Sequence, residues 1–567
     1  MPEQPAARPI VTGCPSTMGD DVQLNTTTLI RHAARTHGEQ EIVYRTAAGK
    51  WERYSYRHCY ARVCRAAQSL RSLGVRPGER VGVLDWNSRR YLELYYAVPG
   101  LGAVMLQLNL RLSADELAYI VNDSEASLIC VDESLLPLAE ALAPQVPRVR
   151  GWIVMTDKPL SAIKTSLAPL HHHEDLLAAA SPSIDWPVID ERSAYAACYT
   201  SGTTGRSKGV YYSHRSIYLH TLSAVPMFGM SINDCTMLIT PMFHAQGWGL
   251  PQAATFMGNK LVLPGRFSLE EASSLIDVMI AEGVTFTCGV PSILLPMLRD
   301  LEARAVKPDF TGMRILCGGS EPPLALHMGL QRLTGAEVLH AYGGTETSPL
   351  ATVNRLKPTL RGRCEEERWS IRCTQGLPSA GVDLMILGPD DRELPHDGKS
   401  VGEICIRGPW VTTSYHNLPE TSDRFIDGYW RSGDVGSISP EGYLKLTDRL
   451  KDVIKSGGEW ISSIDMENAL VGHPAVREAA VVGIPHPEWT ERPLALVVLN
   501  AGLSATPDEL RRHLAETFKK WQLPDRVLLV ESIPKTSVGK LDKKVIRAEY
   551  SGLYAESAGT ANAQKTS

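Results

Sequence analysis

A small, apolar segment, Ser193–Cys198, runs directly into Tyr199–Val210, Y-T-S-G-T-T-G-R-S-K-G-V, which holds three glycines, a run of hydroxyls and one lysine. This junction narrows the choice of fold more than any other stretch. A buried strand that ends in glycines fits a sheet whose ligands bind beyond the strand C-termini. Glycines let the backbone bend so that successive N–H groups converge, Thr and Ser hydroxyls add donors, and Lys208 adds a point charge. Together they suit a polyphosphate. The pattern is not a Walker loop, which needs four residues between its first glycine and a Gly-Lys pair. Gly202 and Gly205 are too close, and Lys208 follows Ser207. On composition alone a plain surface loop reads the same, so the rest of the chain has to decide.

The flanking sequence alternates as an α/β protein does. Arg80–Leu84 reads as a short buried strand and Arg90–Val98 as the helix behind it. Leu269–Ala281 has helical periodicity and leads to the strand-like Val284–Cys288. Met313–Cys317 enters Gly318-Gly319-Ser320, and Glu337–His340 enters a second glycine pair. Composition shifts near Asp448. Beyond it Ala479–Ile484 and Leu494–Leu499 read as strands, and Pro507–Lys520 as a helix with Thr506 as N-cap. A chain of 567 residues is expected to divide. The expected units are a loose segment 1–17, a large multi-sheet α/β domain 18–447, a small α+β domain 452–554 and a polar tail 555–567.

Charge and composition exclude several partners. A net charge of −5, with 21% charged residues, gives no electrostatic reason to bind nucleic acid or an anionic membrane. No apolar run is long enough for a bilayer span, and no secretory signal is expected. The eleven cysteines lie singly, without metal-type spacing, as free thiols in a reducing cytoplasm would. The triplet His171–His173 is expected in a solvated loop rather than at a metal.

Six motifs in a fixed order then identify a family. They are Tyr199–Gly209, P-M-F-H at Pro241–His244, A-Y-G-G-T-E at Ala341–Glu346, Y-W-R-S-G-D at Tyr429–Asp434, D-R-L-K-D-V-I-K-S-G-G at Asp448–Gly458, and P-K-T-S-V-G-K at Pro534–Lys540. From about Leu24 to Tyr554 the chain resembles the adenylate-forming superfamily of acyl-CoA synthetases, adenylation domains and luciferases. K-S-G-G-E-W-I-S at Lys455–Ser462 and F-H-A-Q-G-W at Phe243–Trp248 resemble bacterial medium- and long-chain fatty acyl-CoA synthetases.

The resemblance implies roles for particular residues. Thr200, Ser201, Gly202, Thr203, Thr204 and Lys208 would hold the ATP phosphates, and Glu346 with Thr200 would ligate Mg²⁺, which takes few protein oxygens and keeps waters. Thr345 would act beside Glu346. Gly319, Ser320 and Glu321 correspond to an adenine-side loop, although Glu321-Pro322 departs from the commoner alanine pattern. His340, Ala341, Tyr342 and Gly343 would line the nucleotide. Tyr342 offers a face for adenine, with core packing as its alternative. Asp434 would accept from the ribose hydroxyls, or else cap a turn. Residues 448–451 would be a hinge carrying Arg449 and the pivot Lys451, making the small domain a mobile lid; a solvated charge cluster is the plain alternative. Lys455 would reach phosphate or CoA, and Gly457, Gly458 and Trp460 would pass the pantetheine arm.

Lys540 matches the family's catalytic lysine, with Lys535 as the fallback. A carboxylate must attack the α-phosphate of ATP, and the two anions repel. A cation about 4 Å from both is worth up to ~4 kcal/mol per pair at an effective dielectric near 20. His244 would lie between the acyl and CoA channels, and Trp248 would gate the acyl tunnel unless it is simply core. The resemblance therefore implies an AMP-forming acid–CoA ligase (ATP, Mg²⁺ and CoA as cofactor and substrates), cytoplasmic and homodimeric, acting on a medium- or long-chain fatty acid. Short, sulfur-containing or aryl acids, or the loading of a carrier protein, are the alternatives.

Overall fold

The computed structural model describes residues 11–19, 21–200, 206–268, 271–418, 423–456, 459–535 and 541–554. Of the loose segment expected at 1–17, residues 11–17 are exposed and form no helix or strand, while 1–10 lie outside the described residues, as does the tail 555–567.

One sheet carries the opening motif. Its seven strands run in the order Leu170–His172, Trp152–Met155, Leu128–Asp132, Arg80–Leu84, Val104–Gln107, Ala194–Tyr199 and Gly209–Ser213. All neighbours are parallel except the last two, which pair antiparallel with Tyr199 opposite Gly209. The glycine-rich segment thus begins and returns at one sheet edge, as its sequence requires. Parallel strands buried on both faces need near-continuous apolar runs, and Val81, Val83 and Leu84 are fully buried.

A second sheet of nine strands has a parallel centre, from Glu337–Tyr342 through Arg314–Cys317, Phe286–Gly289, Cys235–Met237 and Lys260–Leu263 to Glu41–Arg45, with antiparallel edges. The expected strand at 284–288 is thus shifted to Phe286–Gly289, and the preceding helix is Ala272–Glu282. Helix Arg89–Gly100 lies in the core that joins the sheets, and every residue from Arg90 onward is buried. Buried charge is tolerable only when paired. Arg62 Nε donates to Glu93 at 2.6 Å and its fork donates to Glu174 at 2.9 and 3.0 Å, while Arg90 Nε donates to Glu174 at 2.8 Å.

The same cluster corrects the expectation for the histidine triplet. Leu170–His172 is an edge strand and His173 opens a helix, with His172 and His173 buried beside Asp175 and Glu174. Burial moves the His173 imidazole below its usual range, so it packs neutral. No group of three metal-ligating side chains occurs among the described residues.

A third sheet, antiparallel, holds Asp383–Leu387, Gly402–Arg407, Tyr429–Ile438, Phe425–Ile426 and Leu444–Arg449. A fourth lies wholly after residue 453. Its long hairpin, Val476–His486 with Thr490–Leu499, is covered by helices Ser463–Val471 and Pro507–Ala515. Thr506 closes a capping box with Glu509, as its position suggests, but the helix stops at Ala515, short of Lys520.

Candidate active site

The C-terminal ends of the two large sheets open, together with the third sheet, on one cavity of about 1130 Å³. It collects side chains far apart in sequence: Thr200 and Lys208 from the glycine-rich segment, His244 and Trp248 from the turn after Cys235–Met237, and Gly319 after Arg314–Cys317. Ala341, Tyr342, Gly343, Thr345 and Glu346 line it from the end of Glu337–Tyr342, and Asp434, Arg449 and Lys451 from the third sheet and the junction after it. Gly343 is dictated by space, because a Cβ there would meet the Pro349 carbonyl oxygen at 1.7 Å.

Two contacts organise the nucleotide-sized part. Tyr342 Oη donates to Asp434 Oδ2 at 2.7 Å, which fixes the carboxylate at the cavity lining. Arg449 Nε stands 3.6 Å from Asp434 Oδ1, since Asp434 and Arg449 are paired across neighbouring strands. In the same cavity, Tyr415 Oη donates to Glu346 Oε1 at 2.9 Å and Lys208 Nζ sits 4.9 Å from the Tyr415 ring centroid. Desolvation raises the Glu346 carboxyl above its usual range, a site that a bound cation would relax. Burial, and then Arg424, lower the Lys208 ammonium. A carboxylate and a hydroxyl lining one cavity, with no group of three metal-ligating side chains among the described residues, fit a hard cation that takes most of its oxygens from phosphate and water.

The wall that carries Trp248 is strained. Ala245, Gln246, Gly247, Trp248 and Gly249 all have φ between +44° and +72°. A non-glycine residue in this left-handed region costs roughly 1–2 kcal/mol. Buried amides hold the turn: Gln246 Nε2 donates to Gln107 Oε1 at 3.0 Å, and Gln252 Nε2 donates to Gln246 Oε1 and Tyr195 Oη at 3.3 Å each. Trp248 is thereby fixed against Gly318, where an added Cβ would sit 3.5 Å from its ring.

Four expected residues stand elsewhere. His340 is enclosed, donates from Nδ1 to the Cys373 carbonyl at 3.2 Å, and is driven down to about 4 by burial; it supports the strand rather than lining the cavity. Ser320 is exposed and does not line the cavity. Glu321 turns away to Gln375 and Asn468. Lys455 lies on strand Ile454–Ser456 with its backbone N–H donated to Glu491, outside the cavity. The fallback Lys535 is ion-paired to Glu478 at 2.8 Å. Ser201, Gly202, Thr203, Thr204, Gly457, Gly458, Lys540 and the Trp460 side chain lie outside the described residues.

Sequence reading missed Tyr415, Arg424 and Gln107. Tyr415 and Arg424 line the cavity from a segment without a glycine turn, and Gln107 ends a buried strand. Trp430 was within reach, as the second residue of Y-W-R-S-G-D, and its Nε1 donates to Tyr415 Oη at 3.1 Å.

Comparison with known proteins agrees with this geometry. Residues 30–416 match the model of the AMP-binding enzyme family, and 465–540 match that of the AMP-binding enzyme C-terminal domain. The chain is 43% identical to a long-chain-fatty-acid–CoA ligase of Thermus thermophilus, over 95% of this chain and 98% of the relative. It is 38% identical to a 3-methylmercaptopropionyl-CoA ligase of Ruegeria lacuscaerulensis, over 92% and 96%. The fold superposes on ATP-bound MatB from Rhodopseudomonas palustris with a TM-score of 0.78 and 27% identity, covering 94% of this chain and all of the other.

Proposed function

The chain belongs to the AMP-binding enzyme family, and on that footing we propose that it is an ATP-dependent acid–CoA ligase that passes through an acyl-adenylate, with a medium- or long-chain fatty acid as substrate. The observation that carries this reading is the single cavity that gathers the phosphate-side Lys208, the Glu346–Tyr415 pair, the Tyr342–Asp434 pair and the acyl-side His244 and Trp248.

In the first step a carboxylate oxygen of the acid attacks the α-phosphorus, the bond to the bridging oxygen breaks, and pyrophosphate leaves. Lys208 and the glycine-rich backbone hold the phosphates, Asp434 takes the ribose hydroxyls, and Tyr342 packs on the base. Glu346, with Thr200, would hold Mg²⁺, which supplies charge neutralisation on the phosphates. Lys540 would approach with the lid, and positioning plus charge balance carry most of the acceleration. In the second step the CoA thiolate attacks the acyl carbonyl carbon and the carbon–oxygen bond to AMP breaks, the thiol proton passing to solvent. His244 and Trp248 flank the carbonyl.

We take residues 448–451 as the hinge between a domain at 18–447 and a lid at 452–554. Lys451 lines the cavity, and Asp448 is anchored to the lid by the Ser463 N–H at 2.8 Å. The cytoplasm suits the eleven unpaired cysteines, and no helix among the described residues is long and apolar enough to cross a membrane. We expect a homodimer, to be checked by light scattering.

The Ruegeria relative supports a second substrate, a short sulfur-containing acid. A panel from propionate to palmitate, with 3-methylmercaptopropionate and aryl acids, scored for AMP release with and without CoA, tests both. CoA-independent release or none at all would overturn the ligase.

A further inference from the structure

A second cavity, of about 610 Å³, lies at the other end of the nine-stranded sheet. One of its lining residues, Glu337, begins the strand whose last residue, Tyr342, lines the catalytic cavity, so the two openings are separated by roughly 17 Å of strand. Four arginines line this space, Arg355, Arg368 and Arg372 half-buried and Arg361 exposed at its edge, against one acidic residue, Glu337. In a chain of net charge −5, that is a pronounced local excess of positive charge.

The fold builds this excess deliberately at one point. Arg355 Nε donates to the Met227 carbonyl at 3.0 Å, at the end of helix His214–Phe228. The guanidinium passes close to Gly229, which has φ +62° and whose hypothetical Cβ would stand 2.5 Å from Arg355 Nη2. Burial lowers the Arg355 guanidinium, with Glu337 opposing the shift and Arg314 adding to it. Helix Glu365–Arg372 supplies the other side. Arg372 stacks on Trp369 at 5.1 Å, donates to Gln331 Oε1 at 2.9 Å and lies 3.9 Å from Glu337. Arg355 lies 3.7 Å from the same carboxylate.

Glu337, the Met227 carbonyl and the Gln331 side chain therefore account for two of the four, Arg355 and Arg372. Among the described residues, no carboxylate comes within ion-pair distance of Arg361 or Arg368, and Arg368 Nε is buried without a hydrogen-bond partner. An unpartnered buried donor on a charged group costs more than an ordinary unmade hydrogen bond. Guanidinium forks match phosphoryl and carboxylate oxygens two at a time, and the volume lies within the range of small-molecule sites, about 300–1,000 Å³.

We propose that this cavity is a binding site for a small, multiply charged oxyanion, separate from the catalytic cavity, with Arg361 and Arg368 as its recognition groups. Phosphoryl and polycarboxylate anions share this chemistry, so inorganic pyrophosphate and citrate serve as the two probes, in the absence of Mg²⁺.

The test is calorimetric titration of the full chain and of the double variant R361Q/R368Q. Wild-type protein is expected to bind one or both probes at a site whose affinity falls at least tenfold in the variant. Binding of pyrophosphate in the catalytic cavity persists in both. A readout on unaltered protein guards against misfolding of the variant: modification of Arg361 and Arg368 by phenylglyoxal, followed by peptide mass spectrometry, should be suppressed by the bound anion. Identical titrations for the two proteins, or equal labelling of both arginines with and without either probe, would overturn the site.

Discussion

Glu321 Oε1 accepts a 2.8 Å hydrogen bond from Nδ2 of Asn468, and this contact ties the loop after strand Arg314–Cys317 to the first helix of the C-terminal unit. Its other oxygen accepts from Gln375 Nε2 at 3.0 Å. Desolvation, followed by the nearby Asp465, pushes the Glu321 carboxyl up to about 7, against the lowering effects of Gln375, Lys445 and Asn468. Both amide contacts are made to a residue that the nucleotide-side sequence pattern leaves unexplained.

A carboxyl raised in the packed state favours that state while protonated. Its contribution is complete below the ordinary carboxyl value near 4.3 and is lost progressively as pH rises to about 7. The present contact between the two units should therefore be more populated at pH 5.5 than at pH 8. Fluorescence transfer between dyes on the two units would follow this, and E321Q should flatten the pH dependence. A variant with the wild-type pH profile would refute the assignment to Glu321.

Lys540→Ala should reduce pyrophosphate exchange several hundredfold, the size expected from losing ~4 kcal/mol of charge stabilisation. The same variant should still consume supplied acyl-AMP with CoA at a rate near the wild type. Equal loss in both half-reactions would mean that Lys540 acts on structure rather than on adenylation.

Tyr415→Phe removes the hydroxyl that donates to Glu346 while keeping the ring beneath Lys208. One hydrogen bond to a carboxylate is worth roughly 1.5–3 kcal/mol. The Mg²⁺ concentration for half-maximal adenylation should rise at least tenfold, with the affinity for the acid unchanged. An unaltered Mg²⁺ titration would remove Glu346 from the metal's vicinity.

Trp248→Phe keeps an aromatic ring on the strained turn but frees space against Gly318. The ratio of kcat/KM for palmitate over octanoate should rise several-fold, because removing a buried group opens room that a longer chain can fill. A ratio unchanged across the acid panel would make Trp248 a core residue alone.

Much of the site was readable because its motifs are local. A glycine turn after a buried strand places its own neighbours, and so Thr200 with Lys208, Tyr342 with Glu346, and Asp434 reach one cavity from three separate segments. His340 misled because it sits next to those residues in sequence, yet side chains alternate across a strand, and its imidazole points into the packed layer. The histidine triplet misled in the opposite direction, since its polar surroundings are acids and arginines that pair in the interior.

The linear order of residues determined the α/β class and the presence of a smaller C-terminal unit, and it pointed to phosphate chemistry at Tyr199–Val210, because each depends on neighbours along the chain. Only the folded protein decided that Tyr415 would brace Glu346, that Gln107 and Gln246 would hold Trp248 in a left-handed turn, and that Glu321 would reach Asn468 instead of the nucleotide side. Those pairs are joined by packing between distant segments, and no periodicity or spacing in one segment encodes which other segment will lie against it.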